Sequence, residues 1–106
     1  MTTEEYQIAC KETQTPECEG LNYLTLGLAS EAGEVAGKTK KNIRGDYKSW
    51  SKFENDMLYE LGDCMWYISN IADYFGFTLE NVMEYNVKKL KARQQNGTIK
   101  GSGDDR

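Results

Sequence analysis

Apolar residues recur along much of this chain at three- and four-residue steps, the spacing of one face of a helix. Leu21, Leu24, Leu28, Ala32 and Val35 form one such stripe and predict a helix over about 21–44. Phe53, Met57, Leu61, Cys64, Ile68, Ala72 and Phe75 form a second and predict a helix over about 51–75. Leu79, Met83, Val87 and Leu90 form a third, over about 78–95. A shorter helix over about 3–13 carries Tyr6, Ile8 and Ala9 behind a capping-box pattern, Thr2 followed by Glu5 three residues on. The punctuation agrees. Pro16, the one proline, breaks the chain after the first helix. Gly45-Asp46 marks a turn, Gly76 a helix stop and Thr78 an N-cap. No stretch alternates over five or more residues as a strand would. The expectation is an all-α fold of four bundle-forming helices in a single domain, residues 1–95. Residues 96–106 are rich in glycine, have almost nothing to bury and are expected to form a flexible polar tail.

Polar residues keep the same step beside the apolar stripes. On the second helix these are Glu31, Glu34 and Lys38; on the third, Asp56, Glu60, Asp63, Tyr67 and Asn70; on the fourth, Asn86, Lys89 and Arg93. Within them stand two echoing tetrapeptides, Glu31-Ala32-Gly33-Glu34 and Glu60-Leu61-Gly62-Asp63. Residues three apart share a side of a helix, so each tetrapeptide aims two carboxylates one way. If the two long helices pack face to face, four carboxylates converge, and such a cluster repels itself unless a cation or protons neutralise it. A glycine inside a helix costs roughly 1 kcal/mol relative to alanine. Two of them at matching places, with Gly27 one turn before Glu31, suggest an offsetting need for close approach. Each pair faces away from its helix's apolar stripe, which puts the expected site at the border of the core.

Composition narrows the chemistry. The chain has 106 residues, enough for one modest core, and a formal net charge of −4, which disfavours coating a nucleic acid. No apolar run approaches a membrane span, and the acidic start Met1-Thr2-Thr3-Glu4-Glu5 does not read as a secretory signal, so a cytoplasmic protein is expected. Cys10, Cys18 and Cys64 make no C-x-x-C pair, and Cys64 falls in an apolar stretch as a buried thiol would. There is no histidine, which excludes histidine acid–base catalysis and argues against zinc. An all-oxygen set of Glu31, Glu34, Glu60 and Asp63 favours Mg²⁺ or Mn²⁺, and Mg²⁺ held by carboxylates points to phosphate chemistry. No P-loop is present; the basic groups available for phosphates are Lys38, Lys41, Arg44, Lys89 and Arg93. Trp50, in a polar connection, either folds back on the core or offers a stacking surface to a planar ligand.

Gly27-Leu28-Ala29-Ser30-Glu31-Ala32-Gly33-Glu34, Glu60-Leu61-Gly62-Asp63-Cys64-Met65-Trp66-Tyr67 and Asn86-Val87-Lys88-Lys89-Leu90 with Arg93 together resemble the MazG-like all-α nucleotide pyrophosphohydrolases. The resemblance spans about residues 21–93. It implies Mg²⁺-dependent hydrolysis of a nucleoside triphosphate to the monophosphate and pyrophosphate. It also implies that Glu31, Glu34, Glu60 and Asp63 ligate the metal, that Asn86 and Lys89 contact the substrate and that Tyr67 lines the nucleotide pocket. Lys89 and Arg93 would stabilise the leaving pyrophosphate, and Lys38 is a further candidate for substrate binding. Glu34 is the candidate base, although spacing alone does not separate a base from a ligand. The family pairs helices of two subunits, so a homodimer or homotetramer is expected. Two alternatives stand beside this reading: phosphoribosyl-ATP pyrophosphohydrolase, and a non-catalytic helical module that binds a protein.

Overall fold

Local chemistry sets four helices, and the structure, a computed structural model, describes residues 1–106. Helix α1 spans Thr3–Glu12, α2 Leu21–Ile43, α3 Trp50–Tyr74 and α4 Leu79–Gln95, with no strand. The Thr2–Glu5 capping box closes the start of α1. Ser49 caps α3 by accepting from the Lys52 amide at 3.2 Å. Thr78 and Asn81 form a reciprocal cap at α4. Pro16 opens a 3₁₀ turn, Pro16–Glu19, that leads into α2. Gly76 ends α3 at φ +76°, a conformation that side chains rarely tolerate, and lets the Phe77 amide bond back to Ala72 O at 2.8 Å.

Helices α2 and α3 form an antiparallel pair: Gly27 meets Tyr67, Glu31 meets Asp63 and Lys38 meets Glu60, so partner numbers fall as α2 advances. Helix α1 lies across α3. The Asn70 amide donates to Cys10 O at 3.3 Å, the Trp66 indole to Thr13 Oγ1 at 2.7 Å, and Lys11 pairs with Asp73 at 2.6 Å. Gln7 pins the α3–α4 turn, donating to Phe77 O at 2.9 Å and accepting from the Leu79 amide at 3.1 Å.

The seam between α2 and α3 keeps only part of the predicted apolar stripes: Leu24, Leu28, Val35, Phe53, Met57 and Cys64 lie in it, and polar residues fill the rest. Its covered or half-covered positions are Leu24, Leu28, Glu31, Val35 and Lys38 on α2, and Phe53, Met57, Glu60, Cys64, Tyr67 and Ile71 on α3. Both runs keep an alternating four-and-three step, as two helices packed side by side require. Leu61, Ile68 and Phe75, expected in the core, are exposed, whereas Asn70, expected on the polar face, is buried. Cys64, expected to be buried, is half-covered; Cys10 and Cys18 are the buried thiols, and all three are free.

Beyond Leu79, α4 leaves the body. Residues 80–92 are all exposed, including the expected core positions Met83, Val87 and Leu90. The radius of gyration is 16.6 Å, where a compact chain of this length has about 13 Å. Residues 96–106 run back along the end of α4, where the Arg93 guanidinium donates to Gly103 O at 3.3 Å. Arg106 ties this segment to itself by bonds to Thr98 O and Ile99 O.

Candidate functional site

The seam brings acids together from two helices. One carboxylate oxygen each from Glu31, Glu60 and Asp63 lies within 4.8 Å of the others. Glu31 and Glu60 are half-buried seam residues, and Asp63 is exposed beside them. The site therefore lies in the helix–helix seam itself, deeper than the border of the core that the pattern predicts. Burial pushes the Glu31 carboxyl above its usual range, and the charges of Asp63, Glu60 and Glu34 push it further. Glu34, one turn on, is exposed and stands outside the trio. A single cation answers these acids: Lys38 Nζ lies 3.6 Å from Glu60 Oε1.

The donor set fits a hard divalent cation. It is all oxygen, drawn from two helices held in register, and carries more negative charge than Lys38 offsets. The Cys64 thiol, half-buried nearby, is raised by desolvation and then by Glu31, Asp63 and Glu60.

Aromatic groups frame the acids. The Tyr67 ring presses on α2 at Gly27, where a β-carbon would lie 2.1 Å from Tyr67 Cε1. Burial, then Tyr23 and Glu31, raises its phenol. Trp66 stands edge-on to Tyr67, with 4.9 Å between ring centroids. Gly27 thus has a clear reason to be glycine. Gly33 and Gly62 do not find one within the chain, since a β-carbon at either would meet open space.

Two tyrosines that sequence reasoning did not single out approach the site. Tyr47, in the α2–α3 connection, donates to Asp56 Oδ2 at 2.8 Å, one turn before Glu60. Its phenol is pushed up to about 12 by desolvation first, then by Asp56 and Glu60. Tyr6 of α1 reaches toward Gly62 O at 3.5 Å, and desolvation, Cys10 and Asp63 raise it to about 12. Neither carries a sequence signal beyond being a tyrosine, because both reach the site only through the packing of other segments. Trp50 begins α3, is 65% exposed and meets Phe53 edge-on at 5.3 Å.

The α4 candidates stand apart. Asn86 and Lys89 line an open cleft with Phe77, Asn81, Tyr85 and Asp104. Arg93 is buried at the end of the same helix. No hydrogen bond or ion pair joins these three to the acidic trio; Lys89 and Arg93 both pair with Asp104.

Comparison with known proteins bears on the sequence that carries this arrangement. Residues 19–98 match the MazG nucleotide pyrophosphohydrolase domain. The chain belongs to the MazG family. The MazG match covers all of α2, α3 and α4, and so every site residue that the sequence pattern proposes. The chain is also similar to the Gene 37 protein of Mycobacterium phage L5, at 41% identity over 109 aligned positions, covering 95% of this chain and 96% of that protein. No solved structure matches the chain.

Proposed function

We propose that this MazG-family protein hydrolyses a nucleoside or deoxynucleoside triphosphate to the monophosphate and pyrophosphate, with Mg²⁺ or Mn²⁺ held by Glu31, Glu60 and Asp63. The observation that carries this reading is the convergence of those three carboxylates within 4.8 Å from two helices, with one lysine beside them. A divalent cation held by these carboxylates would neutralise charge on the triphosphate and lower the pKa of an attacking water.

The chain's own groups divide the remaining work. Glu34 is exposed and outside the trio, which leaves its carboxylate available to take the proton of that water. Lys38, already at Glu60, balances the acids and turns to phosphate oxygens when these enter. Tyr67, fixed by Gly27 and Trp66, gives the nucleotide a rigid aromatic wall. Asn86, Lys89 and Arg93 hold phosphate and sugar groups and stabilise the departing pyrophosphate.

The protein works as a homodimer or homotetramer in the cytoplasm in this reading. Exposed Leu58, Leu61, Met65 and Ile68 form one stripe of α3, and Met83, Val87 and Leu90 another on α4. The chain exposes 7911 Å², against about 6,000 Å² expected of a folded monomer of its mass. A standard interface hides about 800 Å² per partner, so the excess is ample for one. No helix is long and apolar enough to cross a membrane, and the net charge of −4 gives no support to nucleic-acid binding.

The test is a panel of ribo- and deoxyribonucleoside triphosphates with Mg²⁺, read by pyrophosphate release. Turnover of at least one, lost with chelator and in Glu31→Gln and Asp63→Asn, is the expected result. No turnover of any triphosphate with Mg²⁺ or Mn²⁺ refutes the proposal.

A further inference from the structure

The last segment of the chain occupies two cations of α4, Lys89 and Arg93. Arg93, only 6% exposed, directs Nη2 to Gly103 O at 3.3 Å, Asp104 O at 3.5 Å and Asp104 Oδ1 at 3.3 Å. Lys89, one turn earlier, reaches the same Oδ1 at 3.2 Å. The Asp104 side chain is 86% exposed, yet Lys89 and then Arg93 hold its carboxyl below the usual range. Gly97, Gly101 and Gly103, all at positive φ, bend the segment back, and Arg106 closes it by bonds to Thr98 O and Ile99 O. Asp104 also lines the open cleft that holds Asn86 and Lys89. The other lysines of α4 are placed differently: Lys88 and Lys91 face a groove shared with Glu80 and Glu84.

We propose that Asp104 is an internal competitor for the anion site of Lys89 and Arg93, and that the 97–106 segment releases it when a phosphate group enters. The inference rests on the reading that Lys89 and Arg93 bind phosphates. A carboxylate shares with phosphate the charge and the acceptor oxygens that guanidinium and ammonium groups recognise, but brings one charge where pyrophosphate brings several. The contact is weak enough to exchange. The Asp104 carboxylate is 86% exposed, and an ion pair with one partner in solvent is weak, which leaves the open form a minor but accessible state. Apparent affinity falls by the open fraction, so the segment weakens anion binding by about two- to sixfold.

The experiment is calorimetric titration of the full chain with inorganic pyrophosphate in the presence of Mg²⁺. Asp104→Asn is expected to tighten binding about two- to sixfold. Asp105→Asn, which removes the adjacent charge without touching Lys89 or Arg93, is expected to leave it unchanged. Lys89→Met weakens binding, and in that background the gain from Asp104→Asn shrinks. If Asp104→Asn binds as the wild type does, or if Asp105→Asn gains equally, the competitor is refuted while the sensitivity to Lys89→Met still upholds the phosphate role of α4. If pyrophosphate fails to bind, or binds without regard to Lys89, the phosphate role and the competitor fall together.

Discussion

Tyr67 of α3 lies against the bare backbone of Gly27 on α2, so closely that a β-carbon at Gly27 would sit 2.1 Å from its ring. This contact sets the spacing of the two helices one turn before Glu31, and with it the distance across the acids. Gly27→Ala forces the half-buried ring to move. Such overpacking costs about 1–3 kcal/mol, more than the roughly 1 kcal/mol that alanine returns in helix propensity. Net destabilisation is expected in a denaturant melt. With Tyr67→Ala in place the clash is gone, so adding Gly27→Ala should stabilise. If alanine has the same effect in both backgrounds, the contact does not set the spacing.

The acids also give the metal-free protein a pH signature. The Glu31 carboxyl is raised in the folded state, by burial and then by Asp63, Glu60 and Glu34. A raised carboxyl favours folding while protonated, so its contribution is full below the unfolded value near 4.5 and is lost as pH rises through the folded value. At neutral pH the ionised group destabilises. Carboxyls held low by partners, such as Asp56, change stability in the opposite sense over lower pH. The difference between wild type and Glu31→Gln isolates the first effect. With chelator present, Glu31→Gln should melt higher at pH 7, by a margin that narrows toward pH 4. A margin independent of pH would contradict the crowding of charge.

Lys38 is the one cation at the trio, 3.6 Å from Glu60, and both side chains are largely covered. Its replacement by methionine should cost the metal-free protein about 1 kcal/mol. It should also tighten Mg²⁺ binding about fivefold, since the lysine and the ion neutralise the same carboxylates. Thermal melting across a Mg²⁺ series reads both effects, because a ligand stabilises the form that it binds. Weaker Mg²⁺ stabilisation in Lys38→Met would mean that the lysine supports the ion and does not compete with it.

Leu58 and Leu61 are 69% and 51% exposed, so neither is needed for the core of one chain. Changing both to lysine puts charge into half of the exposed stripe. Light scattering after gel filtration should find an oligomer for the wild type and a monomer of 12.1 kDa for the double variant. A wild type of monomer mass at micromolar concentration would remove the oligomer from the proposed function.

The sequence by itself determined the helices and their ends, and it marked out the acidic pairs. Caps and breakers act within a few residues, so Thr2 with Glu5, Ser49, Gly76 and Thr78 work wherever the chain folds. The two acidic tetrapeptides were legible because i, i+3 spacing is a property of one helix, and the residues around them carried the likeness to the MazG family. Only the tertiary structure decided which way each helix turns. Helix α3 is apolar on more than one side, and a periodic pattern sets a step without setting its phase. The phase followed shape: Tyr67 fits at Gly27, Asn70 fits under Cys10 O, and Glu60 is carried into the seam while Leu61 and Ile68 are left outside. The same holds for α4, whose stripe was plain in the sequence but whose neighbours in one chain reach only its two ends. Tertiary packing alone separated Glu34 from the trio, delivered Tyr6 from a distant helix and Tyr47 from the α2–α3 connection, and seated Asp104 on Lys89 and Arg93.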